Sequence, residues 1–561
     1  MELALVGVVG VVSIVAVAAF SERVGVATPL ILVVVGGALG FVPAVPDIEL
    51  DPQWVIDLVL PPLLYSAAVR MPAIDFRRDI KAIIGLAAPL VVLTMACFGL
   101  LLSLVLPTIG LATAFAVGAV VSPTDAVAAT SVGRRLGLPS RLLTILEGEG
   151  LVNDATALVL LSSAITAMTT TVHPGQIGLR FLWAVVGAAI IGAVVGPVTV
   201  WVRGRLADPV LTTAMSFAVP FLAFLPAEEL GASGVLAVVV VGIVNGHRGP
   251  AHLRASDRLS ESVNWSTAAF LLENAIFLVM GLQLHTLVDR AARAGGLSVT
   301  AAVGLGLAAT VVVIVVRALF VGPLVATLRH DAARAENLRP VLRQWRDRLA
   351  GRDTGPRHDR IARRIVRAEG DIAFRTSENF GWHGGVVLAW SGMRGAVTVA
   401  AAQTLPADTP YRPQLLLIAF VVAVTTLLVQ GLTLPAVIRG LRIPPDDPEQ
   451  DRAEFARVLT ELSRRAAPVL DDATGTYPTD VVTRVRDDYV RDVVPDEDAE
   501  PAGEGPNPHQ QYRRLAMDFL TAQQEALVRL RSAGGYRSRT LTRVQLALDR
   551  ERARLESTAG G

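Results

Sequence analysis

The 561-residue sequence is short of the residues that solvate a soluble domain. Charged residues make up 18% of it, against roughly 25% in an ordinary soluble domain, and the mean hydropathy is +0.51. A soluble globular protein is excluded, as is a disordered chain, which needs low hydrophobicity and high charge. Cys97 is the only cysteine, so the chain can build neither a disulfide scaffold nor a thiolate metal cluster. Lys81 is the only lysine, and the formal net charge is +1, which leaves no basic excess for nucleic acid. Met1-Glu2 runs straight into apolar sequence without the basic n-region of a cleavable leader, and reads as the start of a first span.

What is abundant is apolar sequence in long runs. A spanning helix needs about 20 mostly apolar residues, and hydropathy yields about thirteen candidates. They are Leu3–Phe20, Val26–Val42, Trp54–Val69, Ala82–Leu106, Leu111–Ala129, Leu142–Val172, Phe181–Val202, Val210–Leu225, Ala232–Val244, Thr267–Leu284, Val299–Leu328, Gly384–Leu405 and Leu415–Ile438. Arginine alternates between the intervening loops. One set holds Arg70, Arg77, Arg78 and Lys81, then Arg134, Arg135 and Arg141, then Arg203 and Arg205, then Arg248, Arg254 and Arg258. The other holds Asp47, Glu49, Asp51, Glu228 and Glu229, with Arg180, Arg290, Arg293 and Arg412 as exceptions. The positive-inside rule then puts the amino terminus outside and the carboxyl tail in the cytoplasm.

The expected fold is an all-α polytopic membrane protein. Residues 1–442 form the transmembrane part, interrupted by a basic, helical, cytoplasmic connection at 329–381, and residues 443–561 form a helical cytoplasmic tail with a regulatory role in view. Phe455, Leu459 and Leu462 recur at helical spacing in that tail, which a Pro/Gly/acidic linker divides near Pro495–Pro508.

Ionisable groups inside spans cost at least about 2.5–3.5 kcal/mol each at the bilayer centre, so each needs a reason. Asp57, Arg317 and Glu147 are read as lying near span ends; Asp125, Glu149, Asp154, Glu273 and Arg394 lie deeper. In Glu147-Gly-Glu149-Gly-Leu-Val-Asn153-Asp154, Asp154 falls ~18 Å into its helix at 1.5 Å per residue. Glu149 is about 140° around the helix from it, so one carboxylate takes a structural partner while the other faces a cavity. Ser122-Pro123-Thr124-Asp125 breaks the fifth span, because proline removes a backbone donor. The freed carbonyls, Thr124 and Asp125 then supply hard oxygens for a small cation. Ser391-Gly-Met-Arg394-Gly-Ala breaks the twelfth. Arg394 keeps its proton and is assigned a buried acidic partner, Glu149 first and Glu273 second. Two interrupted helices seven spans apart are what an inverted repeat produces, with unwound stretches meeting at the midplane.

Taken together and in this order, Ser122-Pro-Thr-Asp125, Glu147 to Asp154, Glu273-Asn-Ala-Ile-Phe and Gly392-Met-Arg-Gly-Ala396 resemble the cation:proton antiporter family that holds bacterial NhaP-type and animal sodium/proton exchangers. The resemblance covers roughly residues 1–440. It implies a homodimer in lipid, with a dimerisation half and a moving core half, in a bacterial plasma membrane. Asp154 matches the aspartate that alternately holds a proton or the cation, and Asn153 its partner in members of the electroneutral type. Thr124 and Asp125 match positions near the ion, and Glu149 with Arg394 a buried structural pair, with Ser122, Ser66 and Glu273 in secondary places. Two departures stand out. Gly150 replaces a common serine, and Pro61-Pro62-Leu-Leu-Tyr65-Ser66 lacks an acidic residue that some members carry after the prolines.

The resulting expectation is secondary active exchange of Na⁺, with K⁺ or Li⁺ as alternatives, against H⁺, with no cofactor and no enzymatic activity. Burial raises a carboxyl pKa and a neighbouring cation lowers it, so proton and cation compete for Asp154. A cation channel is a rival, although no repeated filter of backbone carbonyls is present. An intramembrane aspartyl protease using Asp125 and Asp154 is another, but it leaves Asn153 and Arg394 without a role.

Overall fold

The computed structural model describes residues 2–42, 51–169, 174–350, 356–377, 381–444, 446–491 and 508–557. Helix runs through each of the thirteen apolar stretches, and no strand occurs among the described residues. The first are α1 (Glu2–Val24), α2 (Thr28–Leu39) and α3 (Leu60–Arg70), the last led in by a π-helical turn at Trp54–Val59. Then come α4 (Ala73–Arg78), α5 (Ile80–Ala87), α6 (Pro89–Val105), α7 (Leu111–Val121), α8 (Ala126–Arg135) and α9 (Ser140–Thr169). The second half holds α10 (Pro174–Arg203), α11 (Pro209–Glu229), α12 (Gly234–His252), α13 (Ala255–Arg293) and α14 (Val299–Ala350). It ends with α15 (Pro356–Ser377), α16 (Gly381–Trp390), α17 (Ala396–Gln403) and α18 (Arg412–Leu441). Ten helical segments among the described residues are long and apolar enough to cross a membrane, with α2 a shorter apolar helix.

These helices pack around two separate apolar cores. The larger draws on α1, α2, α5 to α9, the second half of α13, α14 and α16 to α18. The smaller is built from α3, α10, α11, α12 and Trp265 of α13. Helix α9 faces both, giving Leu151 and Ala155 to the smaller core and Leu142, Ile145 and Leu161 to the larger. The seam between two bundles is thus a built-in feature of the transmembrane part, and α9, which carries the acidic motif, runs along it.

The 329–381 connection is not a loop in its first part: α14 continues without a break through Ala350, and α15 follows. The tail folds around its own apolar core, centred on Leu462, Val485, Phe519 and Leu541. Its helices are α19 (Pro448–Asp472), α20 (Thr479–Arg486), α21 (Pro508–Ala533) and α22 (Ser538–Ser557). Asp447 caps α19 by accepting from the Glu449 N–H at 2.9 Å, which satisfies an otherwise orphaned helix donor. Asp47, Glu49 and the linker from Pro495 to Asn507 lie outside the described residues.

Candidate functional site

The two interrupted spans cross each other. Helix α7 ends at Val121 because Pro123 cannot donate to a continuing ladder, and α8 restarts at Ala126 with Asp125 as its cap, accepting from the Val127 N–H at 2.8 Å. Between α16 and α17 the chain is unwound over Ser391–Gly395. The Asp125 N–H donates to the Met393 carbonyl at 2.7 Å, so the unwound stretches bond to each other directly. Glycine is required here by close approach. A Cβ on Gly395 would sit 2.1 Å from Asp125 Oδ2, and one on Gly392 would sit 2.4 Å from Arg317 Cδ.

Arg394 does not play the part assigned to it. Its Nε donates to the Val121 carbonyl at 3.0 Å, one Nη to the Ser122 carbonyl at 3.3 Å and the other to the Gly392 carbonyl. Among the described residues no carboxylate lies within ion-pair distance of it. The physical reason is the break itself: a helix ending at Val121 leaves carbonyls without donors and a negative dipole end, and a guanidinium supplies both donors and compensating charge. Glu149 pairs instead with Arg317, which is not the span-end residue that hydropathy suggests. Both side chains are 1–2% exposed, and Nη2 meets Oε2 at 2.8 Å in a bidentate contact. Arg317 stands eighteen residues into the apolar run 299–328, and that depth is the signal in the sequence that points to it.

The pair anchors a buried chain of hydrogen bonds. The Thr124 hydroxyl donates to Glu149 Oε1 at 2.7 Å. Asn153 Nδ2 donates to the Thr124 hydroxyl at 2.8 Å and to its carbonyl at 3.0 Å. Arg317, Glu149, Thr124 and Asn153 therefore hold α14, the α7–α8 break and α9 in one register.

On the other side of α9 lies a cavity of about 450 Å³, lined among others by Asp154, Asp125, Thr124, Glu273, Gly150 and Gly395. It opens between the bundles, with α3 contributing Leu60, Leu63, Leu64 and Ala67. Asp154 is the fifteenth residue of the 30-residue α9, close to its midpoint. Its carboxylate has no hydrogen-bond or ion-pair partner among the described residues, so of the two carboxylates on α9 Glu149 is paired and Asp154 faces the cavity. Glycine at position 150 leaves the wall bare; a Cβ there would have the Ala126 Cβ as its nearest neighbour, at 3.1 Å. Glu273 shares the cavity. Ser122 and Ser66 are buried beside it; their hydroxyls donate to Ala119 and Leu63 carbonyls, each at 2.8 Å, and neither is among the lining residues. Arg70, Arg134 and Glu147 stand at the mouth, where Arg134 pairs with Glu147.

A family profile described as "Sodium/hydrogen exchanger, transmembrane" matches residues 10–440. The chain belongs to the sodium/hydrogen exchanger family. It is 30% identical to an uncharacterized Na(+)/H(+) exchanger of Mycobacterium tuberculosis over 95% of this chain and 93% of that relative. It is 29% identical to the low-affinity Na(+)/H(+) antiporter NhaS1 of Synechocystis sp. over 83% and 78%. It is 31% identical to a sodium, potassium, lithium and rubidium/H(+) antiporter of Bacillus pumilus over 46% and 40%. The solved sodium proton antiporter MjNhaP1 of Methanocaldococcus jannaschii shares the fold, with a TM-score of 0.57 over 79% of this chain and 99% of that one, at 16% identity. The exchanger is thus a multi-pass membrane protein of a cation/proton antiport family, and its motif residues converge on one crossing and one cavity.

Proposed function

We propose that this exchanger moves Na⁺ against H⁺ one for one, with Asp154 as the shared binding group. The observation that carries the reading is a lone carboxylate midway along a spanning helix, unpaired, in a cavity at the seam of two bundles. Burial favours its neutral form, and a cation beside it favours the charged form, so each passenger displaces the other. Asp125, whose backbone is fixed by the helix crossing, supplies the second carboxylate to the cation. Thr124 and Asn153 orient the unwound turn, and Glu149 with Arg317 stiffens it. Rigid movement of one bundle past the other, around a site on their seam, gives alternating access.

Thirteen spans with the amino terminus outside and the tail cytoplasmic agree with the arginine alternation, and the resemblance supports a homodimer in the bacterial plasma membrane. Residues 1–442 are the transport unit. K⁺ is a second candidate passenger, favoured by the range of ions for which the Bacillus pumilus relative is named.

The test is exchange in proteoliposomes, with Na⁺, Li⁺ and K⁺ gradients applied in turn while internal pH and membrane current are recorded. Cation-driven pH change without current is expected, and Asp154→Asn should abolish it. Retained exchange in that variant, or current at fixed pH, would remove Asp154 or electroneutrality from the account.

A further inference from the structure

The tail docks on both bundles at once. To the larger bundle it is joined by the chain itself, which leaves α18, and by noncovalent contacts. The Ser140 N–H at the start of α9 donates to Asp446 at 3.2 Å, and Arg539 donates to the same carboxylate at 3.0 Å. Arg367 of α15 donates to the Ser532 carbonyl at 2.9 Å. Gly370 lies so close to the α21–α22 turn that a Cβ would come within 2.4 Å of the Gly534 carbonyl oxygen.

To the smaller bundle it reaches through a compact polar latch. Arg258, in the first turn of α13, forms a two-pronged pair with Asp549 of α22, with Nε to Oδ2 at 3.0 Å; the side chains are 14% and 6% exposed. Asp549 also accepts from Gln545 at 2.8 Å. Gln545 exchanges hydrogen bonds with Gln524 at 2.8 and 3.1 Å, and Gln524 donates to the Pro250 carbonyl at the end of α12 at 2.8 Å. Between tail and membrane helices lies a vestibule of about 740 Å³ that shares Arg70, Arg134 and Glu147 with the ion cavity and is walled on the tail side by residues such as Asp451, Arg539 and Arg543.

We infer that the tail is a strap across the seam, latched by Arg258 and Asp549, which holds the two bundles in this relative position and slows transport until the latch opens. The inference rests on the proposed alternating movement of the bundles. A domain bonded to both moving parts resists their displacement by the free energy of its weaker attachment, and the latch is where the smaller bundle is held. Its position over the vestibule places the same domain in the path of ions entering from that side.

The test uses the full chain in proteoliposomes, with Arg258→Ala, Asp549→Ala and the exchanged pair Arg258→Asp with Asp549→Arg. Each single variant should raise maximal exchange roughly tenfold or more, since removing one member of a largely buried ion pair shifts a docking equilibrium further than losing an exposed one. The apparent cation affinity should stay the same, and the exchanged pair should return toward the parent rate. Hydrogen exchange of residues 538–557 should rise in the single variants and fall back in the exchanged pair. Faster hydrogen exchange without faster transport would overturn the strap, as would single variants that keep full protection. A parent protein that moves no cation would overturn the exchange mechanism instead.

Discussion

The pairing of Glu149 is open to a quantitative test, because two buried arginines compete for it. Removing one member of a buried ion pair leaves an uncompensated charge and costs about 3–5 kcal/mol. Here the carboxylate also accepts the Thr124 hydroxyl at 2.7 Å, a hydrogen bond to a charged group worth about 1.5–3 kcal/mol and coupled to the pair through the same oxygen. Arg317→Met should therefore cost about 3–5 kcal/mol, and adding Glu149→Gln should return much of it, since no buried charge is then left unpaired. Because either single change leaves a buried charge unpaired and the double change does not, the coupling energy between positions 149 and 317 should exceed about 3 kcal/mol, the upper end for residues in one network. Arg394 bonds to backbone carbonyls instead. Coupling between 149 and 394 should stay below about 1 kcal/mol, although Arg394→Met alone is costly because helix-end carbonyls lose their donors. Denaturation of the four proteins of each cycle in mixed micelles measures both numbers. A coupling to Arg394 equal to or larger than that to Arg317 would refute the assignment.

Gly395→Ala would force Asp125 out of its place, since the added carbon falls 2.1 Å from Oδ2; overpacking of about 1–3 kcal/mol and a loss of exchange of more than about tenfold are expected. Gly440→Ala, with nothing within 4 Å, is the control and should leave transport rate unchanged. Asp75 lies outside the membrane segments where the tail docks. Burial pushes its carboxyl up to about 6 from an ordinary 3.8, with the Ser538 hydroxyl and Arg78 pulling it back and Asp79 adding to the rise. A carboxyl raised in the docked state stabilises docking fully below pH 3.8 and loses that contribution as pH climbs through about 6. Protection of residues 538–557, corrected for intrinsic hydrogen-exchange rates, should therefore fall roughly tenfold between pH 4.5 and 7.5. Asp75→Asn should flatten the profile, and an unchanged slope in that variant would count against this group.

Much of the molecule is legible without coordinates. The thirteen apolar runs are helices because lipid leaves a spanning backbone no other way to satisfy its donors and acceptors. The angular argument on α9 places one of two carboxylates in a buried pair and the other in a cavity, since 140° of separation follows from helix geometry alone. The proline at 123 and the glycines around Arg394 mark both breaks. The roles of Ser66 and Ser122 are not legible, because a serine on a spanning helix can bond its own preceding carbonyl, as both do here, without reaching a cavity.

Local composition thus determined the membrane class, the apolar helices, the broken helices and the motif that identifies the family, because each depends on residues close together in the chain. Tertiary structure decided which arginine meets Glu149. Arg317 and Arg394 are both buried cations of fixed charge, and only the crossing shows that Arg394 is used up by the carbonyls that Pro123 leaves free. It also decided the division into two cores and the placement of the tail across their seam, since contacts between residues 258 and 549 leave no periodicity in sequence.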